Sequence, residues 1–200
     1  MAQTVDYYFV PISPYAYLGH ARFAAIAKAA GATVRVLPMD LGKVFAVSGG
    51  LPLAKRAPQR QAYRLVELRR FSEWLELPLN LQPRHFPVDF DSASRLIITV
   101  DQNDGSDAAM ALTGALLGAV WAEQRNIADE AVLCELLAEQ GLDAQRLEAS
   151  QSPAVRQRYE TNTQQAIDAG VFGAPSYVIE GEVFWGQDRL DFVQRRMAAA

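Results

Sequence analysis

At 200 residues the chain is a long single domain, or a core domain carrying one large insertion. Half of its residues are hydrophobic and 21% are charged, a balance that suits a buried core; the net charge of -4, with no Lys/Arg stripe, argues against a nucleic-acid partner. No basic stretch leads into a long apolar one at the start, and no window approaches the roughly 18 apolar residues of a membrane helix. Cys134 is the single cysteine, so an intrachain disulfide is impossible and a reducing, cytoplasmic setting is expected.

The first elements follow β-α-β logic. Residues 5–10 are a strand rich in aromatic and branched side chains. Ser13 then reads as an N-cap with Pro14 in the first turn, and Tyr17, Leu18, Phe23, Ile26 and Ala27 recur at helical spacing until Gly31. Residues 32–37 give a second strand, which a right-handed crossover makes parallel to the first. Residues 42–58, centred on Ser48-Gly49-Gly50-Leu51-Pro52, read as an irregular loop.

The middle of the chain is helical: 62–75, 91–100, 106–124, 129–140, a short turn at 143–149, and 153–169. Asp129, Asp143 and Ser152 stand where helix starts need them. Residues 78–87 form a proline-punctuated connection. Two β-rich runs around Glu180-Gly181 then form a hairpin over 174–185, and a closing helix carries Leu190, Phe192, Val193 and Met197. The order βαβ, helices, ββα is that of an α/β thioredoxin-like sheet with a large all-helical insertion. Residues 1–58 and 170–200 make the sheet domain and 59–169 the insertion.

Three segments carry the chemistry. In a thioredoxin-like fold, the end of the first strand is where Cys-x-x-Cys sits, because a helix N-terminus lowers a thiol's pKa. Here Ser13 and Ala16 occupy those positions, which excludes dithiol redox chemistry and leaves an anion-seeking helix start with one hydroxyl. Taken alone, Ser13 reads first as a cap. The second segment is Gly173-Ala174-Pro175, where a cis proline would present Ala174's backbone N–H and C=O to an extended peptide. The third is Trp185-Gly186-Gln187-Asp188. The backbone N–H groups of Gln187 and Asp188 suit a carboxylate, and the Asp188 side chain suits an ammonium, although first-turn stabilisation explains Asp188 equally well.

Other residues read more plainly. Cys134 sits on an apolar helix stripe as a small hydrophobe, and His20 is a surface or packing residue. Trp74, Trp121 and Trp185 fall on apolar faces and are expected in the core. Arg69-Arg70 belongs to a solvated face, and Tyr15 and Tyr17 could line a pocket. Two histidines and one cysteine offer no metal-ligand spacing.

Ser13-Pro14-Tyr15-Ala16-Tyr17-Leu18, Gly170-Val171-Phe172-Gly173-Ala174-Pro175 and Phe184-Trp185-Gly186-Gln187-Asp188-Arg189 together resemble the 2-hydroxychromene-2-carboxylate isomerases, relatives of the kappa-class glutathione transferases. The resemblance implies a homodimeric enzyme that binds glutathione and acts on a small aromatic carboxylate. It implies that Ser13 hydrogen-bonds the glutathione sulfur and that Ala174, with Pro175, pairs with the cysteinyl backbone. It assigns the γ-glutamyl end to Gln187 and Asp188, and aligns the family's basic residue with Arg60, three positions before Tyr63. The implied reaction is reversible thiolate addition that frees a conjugated bond to rotate, a nucleophilic catalysis with a borrowed sulfur. Arg84, His85 and Arg60 remain open as receivers of the substrate carboxylate. A glutathione transferase or peroxidase acting on other electrophiles, and a non-catalytic glutathione-binding module, are the alternative readings.

Overall fold

The computed structural model describes residues 3–198. Strand β1 (Thr4–Phe9), helix α1 (Pro14–Ala29) and strand β2 (Thr33–Pro38) form the expected parallel unit, with Tyr7 opposite Val36. At the far end of the chain, β3 (Ser176–Ile179) pairs antiparallel with β1, and β4 (Glu182–Trp185) pairs antiparallel with β3. The sheet order is therefore β2-β1-β3-β4, with sequence-distant β1 and β3 as the central neighbours. Glu180 and Gly181 turn the hairpin with φ of 50° and 82°, as a tight turn of this kind requires.

Six helices lie between β2's side of the chain and β3 after a short one. These are α3 (Pro58–Leu75), α4 (Asp91–Asp104), α5 (Ser106–Trp121), α6 (Glu130–Glu139), α7 (Gln145–Ala149) and α8 (Pro153–Asp168), and α9 (Leu190–Ala198) closes the chain. The short one, α2 (Leu41–Ser48), lies inside the stretch read as an irregular loop. Asp40 caps it by accepting from Gly42 and Lys43 N–H, and Gly49 stops it at φ 75°. Three nearby glycines, at 42, 49 and 50, and a length of only eight residues hid a pattern in which Val44 alone is fully buried. Ser13, Asp129 and Ser152 cap their helices as expected; Asp143 instead sits two residues ahead of α7, accepting from Gln145 N–H.

Alternation along β1 divides the core. Val5, Tyr7 and Phe9 face the large cluster formed with α1, α4, α5 and α9, whereas Tyr8 and Val10 face a smaller one with Leu37, Met39, Val44 and Ala166. Tyr7, Phe9, Phe23 and Tyr177 pack ring against ring at 4.5–5.4 Å between centroids, pairs worth roughly 0.5–1.5 kcal/mol each beyond their area.

Trp121 is fully buried, but the other two tryptophans correct the reading from spacing. Trp74 is 70% and Trp185 51% exposed. Trp74 lies on the outer side of α3 against Phe71, while Trp185 lies against Phe172 over the backbone of Gly173, where a Cβ would come within 2.3 Å of the indole nitrogen. Cys134 is half-buried rather than interior. No helix of the described residues is long and apolar enough to cross a membrane.

Candidate active site at the start of helix α1

Strand β1 ends in a Pro11-Ile12 turn, closed by a bond from Ser13 N–H to the Val10 carbonyl, and delivers Ser13 as the cap of α1. Its hydroxyl oxygen accepts from Ala16 N–H at 3.1 Å and donates to the Ala174 carbonyl at 3.3 Å. The second bond spans 161 residues of sequence, and it joins two of the three segments singled out above. The peptide between Ala174 and Pro175 is cis. Beyond it, the Pro175 carbonyl accepts from Gly186 N–H at 2.9 Å, which brings the third segment alongside. Ser13 is 6% exposed and Ala174 is half-buried, so the site lies just beneath the surface at the positive end of a sixteen-residue helix.

The third segment is held from the α1 side. Gln187 is 1% exposed, and its side chain turns inward against α1. One Arg22 Nη donates both to its backbone carbonyl and to its side-chain carbonyl, each at 2.7 Å. Gly19 makes room for this, since a Cβ there would lie 2.7 Å from Gln187 Cβ. Only the Gln187 backbone can therefore face a ligand. Asp188 is exposed and carries its carboxylate against Arg189 at 2.6 Å, so an incoming ammonium group must share it or displace the guanidinium. Gly186, at φ 100°, adopts a backbone that side-chain-bearing residues rarely take.

Arg60 lies exposed in the first turn of α3, and Arg84 is exposed in the loop between α3 and α4. His85 is half-buried in the same loop. The same loop carries Phe86, which packs on Trp121 with centroids 4.9 Å apart, and the Arg64 guanidinium lies over both rings at 5.4 and 5.7 Å. Tyr15, two residues past Ser13, donates its hydroxyl to the Glu67 carboxylate of α3. Burial, followed by this carboxylate, pushes the Tyr15 phenol well above its ordinary pKa, so it stays protonated. Tyr17 reaches the Pro78 carbonyl at 2.6 Å. Neither Arg64 nor Glu67 stood out in the sequence; the basic residue one turn after Arg60 was the signal available.

One helical turn or two deeper, the chemistry is closed to ligands. His20 is buried; its Nε2 faces the Met110 carbonyl at 2.9 Å, which can only accept, so Nδ1 is left to accept from the Tyr7 hydroxyl at 3.3 Å. Burial holds this imidazole neutral, with its pKa lowered to about 4. Of the two readings open for His20, surface or packing, the structure selects packing. Among the described residues no three His, Cys, Asp or Glu side chains are grouped as a metal would need.

The chain matches the DSBA-like thioredoxin domain family over residues 4–198. It is 30% identical to a 2-hydroxychromene-2-carboxylate isomerase from Sphingobium xenophagum, over 97% of both chains. A solved 2-hydroxychromene-2-carboxylate isomerase superposes with a TM-score of 0.80 at 29% identity, covering 98% of this chain and 95% of the other. A glutathione S-transferase kappa 1 from Caenorhabditis elegans is 24% identical over 94% of this chain and 88% of its own. On these matches the chain belongs to the DSBA-like thioredoxin-domain family and, within it, to the 2-hydroxychromene-2-carboxylate isomerases.

Proposed function

We propose that this enzyme is a glutathione-dependent isomerase of 2-hydroxychromene-2-carboxylate or of a similar conjugated aromatic carboxylate. The observation that carries this reading is the contact between Ser13 Oγ and the Ala174 carbonyl at the start of α1, at a position where the chain has no cysteine.

The residues fit the tripeptide best at its sulfur. Ala174 N–H has no backbone acceptor among the described residues, and its carbonyl is held only by the serine hydroxyl. An extended peptide laid against Ala174 satisfies both groups, as at a sheet edge, and so releases the Ser13 proton to point elsewhere. Ser13 Oγ, still oriented by Ala16 N–H, then donates to an anion at the helix start, where the dipole already favours negative charge. At the other end, backbone N–H groups of Gln187 and Asp188 and the Asp188 carboxylate are available for a zwitterionic amino acid, while Arg22 fixes that loop from behind. Arg60 is the remaining candidate contact. When bound, glutathione supplies a thiolate nucleophile that the chain itself lacks.

The chain's tasks are then to hold this anion, to keep the electrophile beside it, and to exclude water. Good orientation of two reactants can be worth roughly 7–11 kcal/mol of the barrier. Protonated Tyr15, two residues past the serine, offers a flat, half-buried ring for an aromatic substrate. The test is the absorbance change of 2-hydroxychromene-2-carboxylate with and without glutathione, in the wild type and in Ser13→Ala. Turnover that requires glutathione and collapses in the variant is expected; turnover indifferent to glutathione would end this reading.

A further inference from the structure

We infer that Arg64 receives the carboxylate of the aromatic substrate and sets the preference of the site for an anionic electrophile. This rests on the proposed reading, and it names a residue outside the three basic candidates of the sequence.

The geometry comes from three elements. On α3, Arg64 precedes Glu67 by one turn, so the two share a helix face. Glu67 takes the Tyr15 hydroxyl, which ties that face to the first turn of α1. The Tyr15 phenol and the Arg64 guanidinium are close enough to influence each other's charge. The rings of Phe86 and the fully buried Trp121 lie 5.4 and 5.7 Å from the Arg64 guanidinium carbon and hold the group against the core. What remains is the planar fork of N–H groups that matches a carboxylate bidentately.

The charge on this group lacks a counter-ion. Ion pairs among the described residues involve Arg35, Arg125, Arg146, Arg189 and Arg196, and Arg64 is not among them. The acid nearest to it on its own helix is already engaged by Tyr15. A half-buried cation without an anion costs free energy that an anionic ligand returns. Its neighbour Arg56 is tied through Nε to the Leu51 carbonyl at 2.8 Å, and Arg60 and Arg84 are exposed without an aromatic backing. Of the cations in this part of the molecule, Arg64 alone is oriented, partly desolvated and unpaired.

The shared chemistry, a carboxylate, occurs on both the substrate and glutathione, so the experiment separates them. Calorimetric titrations would use trans-cinnamate, its neutral amide trans-cinnamamide, and S-methylglutathione, against wild type and the variants Arg64→Met, Arg64→Lys and Arg84→Met. The wild type should bind the acid at least tenfold more tightly than the amide. Arg64→Met should weaken the acid roughly 10- to 100-fold and leave the amide and S-methylglutathione within about twofold, the loss expected for a charge-assisted bidentate pair. Arg64→Lys should lose part of the acid preference, and Arg84→Met none. Should Arg64→Met unfold, both aromatic ligands would be lost together, and Arg64→Lys then decides. The inference is overturned if wild type binds acid and amide alike, if the Arg64 variants keep the wild-type preference, or if the loss falls on S-methylglutathione instead. Turnover independent of glutathione, with the acid preference intact, would defeat the proposed reaction and leave the Arg64 site standing.

Discussion

Helix α1 and its cap carry two polar regions within ten residues, and they have opposite characters. At its start, Ser13 holds the Ala174 carbonyl with a 3.3 Å bond at a half-buried edge, and Tyr15 and Glu67 leave Arg64 without a counter-ion. Two turns on, His20 is held between Tyr7 and Met110, and Arg22 grips Gln187 twice at 2.7 Å. Both regions are built from groups that could do acid-base or anion-binding chemistry. Partners that an extended peptide could replace make the first the proposed site. Buried partners from β1, from α5 and from Gln187 itself mark the second as framework that aligns the loop at 186–188.

The comparison is most sharply broken by Ser13→Ala. If the serine hydroxyl stabilises an anion during turnover, kcat should fall roughly 100- to 1000-fold while glutathione affinity changes far less. Equal losses in both would make Ser13 a binding residue only. Because Ser13 also caps α1, a modest fall in Tm, worth about 1 kcal/mol, should accompany the change.

The framework side makes a pH prediction. His20 binds a proton in the unfolded chain near its ordinary pKa of 6.5, but in the folded state only near 4. Between those values the unfolded state holds more protons, so stability is full above pH 6.5 and declines as pH falls toward 4, by about 3 kcal/mol at the limit. Denaturant midpoints measured against pH should show this acid limb, and His20→Gln should flatten it at the cost of lower stability at neutral pH. An unchanged limb in the variant would place the acid sensitivity elsewhere.

Smaller effects sharpen the division. Gly19→Ala puts a methyl 2.7 Å from Gln187 Cβ and 3.2 Å from the Tyr177 hydroxyl, both anchored in packed structure. The overlap outweighs the gain in helix propensity, and a net loss of about 1–2 kcal/mol is expected, together with weaker glutathione binding as the loop at 186–188 shifts. Calorimetry on the variant that found tighter binding would contradict the framework role. Smallest of all is Cys134→Ala on α6, away from both regions: activity should be unchanged and stability should move by less than about 1 kcal/mol.

Local pattern made much of the fold legible. The alternation of Val5, Tyr7 and Phe9 against Tyr8 and Val10 sorts β1 into two core faces, and Ser13, Asp129 and Ser152 mark helix starts because capping is a short-range bond. The replacement of both redox positions by Ser13 and Ala16 is likewise written in the chain. Helix α2 escaped because glycines at 42, 49 and 50 outweighed a brief apolar repeat. Trp74 and Trp185 were misplaced because apolar spacing says which face a residue shares, not whether anything covers that face.

The sequence by itself thus determined the element order, the caps and the absence of a resident thiol, since each depends on neighbours a few residues apart. Only the tertiary structure decided that the Gln187 side chain turns inward to Arg22, that His20 is sealed beneath Met110, and that Arg64 is stacked on Phe86 and Trp121 without a carboxylate. Those outcomes join residues tens to more than a hundred positions apart. They are set by which elements pack together, and no local periodicity carries that information.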